Sequence, residues 1–198
     1  MTKLYLIRHG ETDLNTSGVL YGWTDCGLNI RGIGQSKDLS RALSDVNFDI
    51  VITSPLKRAI DTASIVSGWA SERIVIDKRL KEFNFGNWEG KHYQEIKSRD
   101  KEKWDLWVKD WKNICPPSGE SFLEFYQRVK NSIDHILEKY DKRTIMLVSH
   151  QGCLRLIMCI LLNMDCEKYY HFTFEQGTYS LLYTSKEYCV VKKINQKP

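Results

Sequence analysis

The sequence predicts an α/β fold: a three-layer sandwich with helices on both faces of a mostly parallel sheet. Three short apolar runs carry that expectation, Leu4-Tyr5-Leu6-Ile7, Asp49-Ile50-Val51-Ile52-Thr53 and Thr144-Ile145-Met146-Leu147-Val148. A strand covered on both faces loses its polar alternation, so such runs mark the interior of a parallel sheet. Helical segments lie between them, and strands alternating with helices imply crossover units.

The helical elements follow in order. Asn29 can cap a helix running to about Leu43. Ser54 followed by Pro55 supplies an N-cap and an N1 proline for a helix to about Trp69, which places Arg58 in its first turn. Ser121 and Glu124 form a capping box, and Phe122, Phe125, Val129, Ile133, Ile136 and Tyr140 continue at helical spacing. A further helix after Gly152 reaches about Leu162. Tyr179–Thr184 and Tyr188–Lys192 read as late strands, and Val190 to Pro198, with three lysines, reads as a solvated tail. The 198 residues suit one domain, 1–198. Pro116-Pro117-Ser118-Gly119 is the clearest break; it closes a polar, Trp-rich excursion above the sheet over about 91–118.

Composition narrows the function classes. A hydrophobic share of 42% against 27% charged is that of a globular chain able to bury a core without staples. The formal charge of +4 draws in anionic small molecules but falls short of the concentrated basic face a nucleic acid needs. The six cysteines are scattered, without C-x-x-C or zinc spacing, and read as reduced thiols. With no signal-like apolar region after Met1 and no run long enough to span a bilayer, the expectation is a cytoplasmic protein with no membrane partner. No acidic cluster or histidine spacing suggests a metal, and no cofactor is expected.

Two buried strands end alike. Arg8-His9-Gly10-Glu11-Thr12 follows Ile7, and Ser149-His150-Gln151-Gly152 follows Val148. Ligands of open α/β sheets bind outside the carboxyl ends of strands, so the topology brings both histidines to one rim. A third strand end supplies Arg58 near a helix N-terminus, which favours anions. Two Arg and two His converging there make a phosphate pocket, because guanidinium forks match phosphate oxygens and keep their charge. Taken singly, each residue reads as structural; their corresponding places in the topology decide otherwise. His92, His135 and His171 show no such placement.

Leu6-Ile7-Arg8-His9-Gly10-Glu11-Thr12 with Asn15 resembles the signature of the histidine phosphatase superfamily, which includes cofactor-dependent phosphoglycerate mutases. The resemblance continues through Gly22-Trp23-Thr24-Asp25, Ser54-Pro55-Leu56-Lys57-Arg58-Ala59, Leu80-Lys81-Glu82-Phe83, Phe85-Gly86-Asn87-Trp88-Glu89-Gly90 and Val148-Ser149-His150-Gln151-Gly152. It implies a phosphoglycerate mutase-like fold and a small phosphorylated metabolite as partner. It also implies roles: His9 as the phosphorylated nucleophile, and Arg8, Arg58 and His150 as clamps on the phosphoryl oxygens. Asn15, Gln151 and Gly152 would add binding contacts. Glu82 would protonate the leaving oxygen and later deprotonate water. Mutases of this type usually carry Tyr-Gly-x-Leu-x-Gly after the acid, whereas Phe85-Gly86-Asn87-Trp88-Glu89-Gly90 looks like the phosphatase branch. Pro116-Pro117-Ser118-Gly119-Glu120-Ser121 is similar to a stretch of the α-ribazole phosphatases of cobalamin assembly, with Ser118 where Gly is frequent. A mutase and a non-catalytic phospho-ligand binding module are the competing readings; release of inorganic phosphate separates them from the phosphatase. Trp104, Trp107 and Trp111, at i, i+3 and i+7, form one helical face that either packs the excursion down or walls an aromatic leaving group.

Overall fold

The computed structural model describes residues 1–185 and 188–198. Its strands are β1 (Thr2–Arg8), β2 (Val19–Leu20), β3 (Ile50–Thr53), β4 (Val75–Ile76), β5 (Lys91–His92), β6 (Thr144–Ser149), β7 (Tyr179–Thr184) and β8 (Cys189–Gln196). The helices are α1 (Asp13–Thr16), α2 (Ile30–Ala42), α3 (Lys57–Ser67), α4 (Tyr93–Arg99), α5 (Lys101–Lys109), α6 (Phe122–Lys139) and α7 (Gln151–Leu161). Six strands make one sheet in the order β4-β3-β6-β1-β7-β8. The first four run parallel, while β7 and β8 are antiparallel additions at one side.

The unbroken apolar runs have a direct cause in this arrangement. Leu4 and Leu6 of β1, with Ile145 and Leu147 of β6, face a core built with Phe125, Val129 and Ile133 of α6 and Leu154 and Ile157 of α7. Tyr5, Ile7, Met146 and Val148 face the other way, against Leu39 of α2 and Ala59, Ala63 and Val66 of α3. Successive side chains of a strand point to opposite faces, so a strand between two helical layers must be apolar at every position. Burying one such Leu or Ile stabilises the fold by about 1.5–3 kcal/mol.

The helix starts show where local rules held and where they did not. Asn29 accepts from the Gly32 amide at 2.8 Å, and Ser121 with Glu124 forms the expected reciprocal box. Ser54 does not cap the next helix. That helix begins at Lys57 with Leu56 in the cap position and no side-chain cap bond. The Ser54 hydroxyl is committed instead to His150, 96 residues away.

The expected solvated tail from Val190 is also corrected, because β8 runs to Gln196 beside β7, and Tyr188 lies outside it. An edge strand has one ladder partner and two exposed sides, so it carries lysines where an interior strand carries Val or Ile. Lys193 Nζ donates to Tyr179 Oη at 2.9 Å and ties that edge down. A two-stranded ribbon, β2 with β5, joins the loop after β1 to the start of the 91–118 segment.

Candidate active site

β1 and β6 are parallel neighbours, and Arg8 pairs with Ser149, so the residues that follow leave the sheet together. The His9 amide donates to the Ser149 carbonyl at 2.9 Å, and the His9 and His150 rings stand 5.1 Å apart. His9 Nδ1 lies 2.8 Å from the Gly10 carbonyl. A carbonyl only accepts, so Nδ1 carries the ring hydrogen and Nε2 keeps its lone pair. Burial, reinforced by the Arg58 and Arg8 charges, holds the His9 pKa well below its ordinary value, so the ring is neutral at pH 7. Gly10 makes this turn possible: a Cβ there would lie 2.6 Å from the Gly32 carbonyl oxygen, where α2 is pressed against the loop.

Arg58 is fully buried. Its Nη1 donates to the Thr24 carbonyl at 2.8 Å and its Nη2 to the Gly22 carbonyl at 2.7 Å, with the Tyr21 ring 4.8 Å away. Those carbonyls face Arg58 because Glu89 gathers the loop from behind. Its carboxylate accepts from the amides of Gly22 (3.0 Å), Trp23 (2.9 Å), Thr24 (2.9 Å) and Phe85 (3.1 Å), and from the Thr24 hydroxyl (2.6 Å). Burial works to raise the Glu89 pKa, but these hydrogen bonds outweigh it and hold the carboxyl below its usual range. Arg8 Nη1 donates to Gln151 Oε1 at 2.9 Å and to the Phe174 carbonyl at 3.0 Å.

His150 is also fully buried; its Nε2 lies 2.7 Å from the Ser54 hydroxyl, and its Nδ1 has no partner. Burial and the charges of Arg58, His9, Arg128 and Arg8 push its pKa well below the ordinary value. Of the four buried polar side-chain atoms without a partner among the described residues, three are Arg8 Nε, Arg58 Nε and His150 Nδ1. A buried polar group left unpaired costs about 1–3 kcal/mol. Three such atoms on residues that converge beside a neutral His9 are what a tetrahedral oxyanion would satisfy.

Glu82 stands at the edge of this pocket. Its Oε1 accepts from the Phe83 amide and its Oε2 from the Gly152 amide, both at 2.9 Å. A Cβ on Gly152 would lie 2.4 Å from Glu82 Oε1, so this close approach requires glycine. The Gly152 amide, expected to bind phosphate, therefore serves Glu82, and Gln151 serves Arg8. Asn15 Oδ1 accepts from the Thr12 amide at 3.0 Å and from Gln176 Nε2 at 2.7 Å. Next to Glu82 opens a cavity of about 340 Å³, walled by Phe83, Phe85, Trp107, Trp111, Tyr169 and Tyr170, with Arg155 at its side. The three tryptophans do not share one helical face. α5 ends at Lys109; Trp104 and Trp107 pack on Trp88, each at 5.6 Å, while Trp111 turns to Phe122 at 4.6 Å. Sequence reading missed Ser54 as the partner of His150, Gln176, Tyr21, Tyr169 and Arg155. Ser54 and Glu89 did carry a signal, as parts of the matching stretches Ser54 to Ala59 and Phe85 to Gly90.

A profile of the histidine phosphatase superfamily (branch 1) matches residues 4–197. The chain belongs to this superfamily. The adenosylcobalamin/α-ribazole phosphatase of Escherichia coli (strain K12) is 35% identical to this histidine phosphatase superfamily member over 195 residues, covering 98% of this chain and 96% of that one. The crystal structure of the α-ribazole phosphatase from Shigella flexneri matches with a TM-score of 0.92 at 35% identity, over 98% of this chain and 96% of that one. Phosphoserine phosphatase 1 of Hydrogenobacter thermophilus is 30% identical over 195 residues, or 98% and 92% of the two chains. Among the described residues, no helix is long and apolar enough to cross a membrane, and no group of three or more His, Cys, Asp and Glu is placed to hold a metal ion.

Two neutral, buried histidines in this superfamily member have a consequence for its stability. Their folded pKa values lie below the unfolded value of about 6.5, so below that pH the unfolded chain binds protons the native one refuses. The stability they permit is fully present above about pH 6.5 and is lost as pH falls, at up to about 1.4 kcal/mol per pH unit for each histidine. Urea midpoints measured from pH 7 to 5 should therefore fall less steeply for His150→Gln than for the wild type. Parallel profiles would contradict the buried neutral state.

Proposed function

We propose that this chain is a phosphomonoester hydrolase that works through a phosphohistidine on His9, and that its substrate is α-ribazole 5′-phosphate. The observation that carries the chemistry is the set of unpaired buried nitrogens, Arg8 Nε, Arg58 Nε and His150 Nδ1, around a His9 whose free nitrogen is Nε2. In the first step Nε2 attacks phosphorus, the arginines and His150 hold the equatorial oxygens, and Glu82 gives its proton to the departing oxygen. In the second, Glu82 takes a proton from water as that water attacks the phosphohistidine. Phosphoryl transfer passes through a loose transition state, so positioning and charge complementarity supply most of the catalysis.

The substrate reading is supported by the aromatic cavity beside Glu82 and by the relatives named as α-ribazole phosphatases. A flat, apolar leaving group gains by stacking on such walls, and tenfold in affinity needs only about 1.4 kcal/mol. Phosphate release from α-ribazole 5′-phosphate should exceed that from phosphoserine and 3-phosphoglycerate by about tenfold or more in kcat/KM. A preference for phosphoserine would move the assignment to the other named relatives, and isomerised phosphoglycerate without phosphate release would make the chain a mutase. The arginines already supply the positive charge that Mg²⁺ brings elsewhere. A chelator should therefore leave the rate unchanged, and vanadate should inhibit.

A further inference from the structure

Tyr169 lies in a short 3-10 turn, Cys166–His171, after α7, and is 9% exposed. Its ring is held by Trp111 at 5.8 Å, Phe122 at 5.6 Å and Tyr170 at 4.8 Å between centroids. Arg155, whose Nε donates to the Phe172 carbonyl at 2.8 Å, stands 5.4 Å from the Tyr169 ring centroid. Such packing fixes the hydroxyl, and Gly152 shows where: a Cβ built on it would lie 2.6 Å from Tyr169 Oη and 2.4 Å from Glu82 Oε1. The two oxygens therefore lie no more than about 5 Å apart beside Gly152, a separation that one oxygen atom hydrogen-bonded to both can span. Both residues line the aromatic cavity. Burial pushes the Tyr169 phenol well above its ordinary value, the Glu82 carboxylate adds to that, and Arg155 pulls the other way without reversing it. The phenol therefore keeps its proton and remains a donor.

We propose that Tyr169 is a further catalytic residue, whose hydroxyl and Glu82 Oε1 together hold the oxygen that gains or loses a proton. That oxygen is the departing alcohol oxygen in the first half-reaction and the attacking water in the second. The proposal rests on the phosphohistidine reading above. In phosphorylation the Nε2–P bond forms as the P–O bond breaks; its electron pair stays on oxygen, which takes the Glu82 proton and a hydrogen bond from Tyr169. In hydrolysis the water oxygen bonds to phosphorus as the N–P pair returns to Nε2. Glu82 takes one water proton, and the remaining lone pair of that water accepts from Tyr169. Ester and water become alcohol and phosphate, and Tyr169 ends with the proton it began with.

The test is rapid-quench single turnover of the full chain, wild type and Tyr169→Phe, on an alkyl phosphate and on p-nitrophenyl phosphate. Loss of one transition-state hydrogen bond should slow phosphorylation of His9 by the alkyl ester about tenfold, and by the nitrophenyl ester less than about twofold, because nitrophenolate leaves unaided. Hydrolysis of the phosphoenzyme, which uses the same water for both esters, should slow equally after either. Tyr169→His, which retains a ring donor, should recover part of the alkyl-ester rate, and cooperative melting of both variants confirms that they fold. Equal losses on the two esters, or a change in KM alone, would reduce Tyr169 to a wall of the cavity. Absence of phosphohistidine in the wild type would overturn the underlying reading and this proposal with it.

Discussion

His9→Ala should bind inorganic phosphate and vanadate yet lose at least about 10⁴-fold in kcat, equivalent to more than about 5 kcal/mol of barrier. The two histidines of the site are not interchangeable, which is why the loss should be so large. His9 Nδ1 is tied to the Gly10 carbonyl, so Nε2 is the nitrogen with a lone pair to give. His150 Nε2 is already engaged by Ser54, and its remaining nitrogen is one of the buried atoms that fit a phosphoryl oxygen. A nucleophile needs a lone pair and a clamp needs a hydrogen: the Gly10 carbonyl leaves the lone pair on His9 Nε2, and His150 clamps through Nδ1 in the tautomer in which the Ser54 hydroxyl donates to Nε2. Mass spectrometry of wild-type enzyme quenched during turnover should find an acid-labile phosphate on His9 and none in the variant. A phosphate on serine or cysteine, or near-normal turnover by His9→Ala, would end this reading. Because Arg8, Arg58 and His150 remain, phosphate affinity should change far less than rate.

That the candidate residues come together is largely legible in the sequence, and the legible part has a common physical origin. Strands covered on both faces announce themselves by unbroken apolar runs, and the residues after such runs lie at the rim where ligands bind. His9 and His150 were legible for that reason, and Asn29 and Ser121 because a cap and its amide lie within four residues. The supports were not legible, because they reach across the fold. Ser54 followed by Pro55 is a valid local cap pattern, and the competing partner of its hydroxyl, His150, is 96 positions on. Glu89 draws in amides from residues about 65 positions earlier, and Gln176 reaches Asn15 across 161. β8 escaped for a different reason: an exposed edge places no apolar demand on its sequence, so its lysines look like those of a tail. The lesson for Arg58 is similar. Its helix position was right to within the first turn, but its role as a fully buried cation depends on a carbonyl cage that no local window contains.

Glu82→Gln should slow phosphorylation of His9 by an alkyl phosphate about 10²–10⁴-fold, the usual range for a lost general acid, and by p-nitrophenyl phosphate far less. The contrast follows from where the carboxyl sits. It is held by two amides, those of Phe83 and Gly152, at the mouth of a pocket whose other groups carry positive charge or donors. A carboxylate beside a phosphate dianion is repulsive, and only a proton turns that neighbour into a hydrogen-bond donor to the ester oxygen. Glutamine keeps the volume and one of the two amide bonds, with its NH2 turned toward the other amide, but it cannot transfer a proton, so the part of the penalty that grows with the basicity of the leaving oxygen reports the lost acid. Steady-state rates would blur the comparison, because Glu82 also acts on the water of the second step. Burst amplitudes or single turnovers isolate the first. Should both esters lose equally, Glu82 would act by placing Gly152 and the start of α7 rather than by moving a proton. The acid would then have to be sought among the other groups that line the cavity.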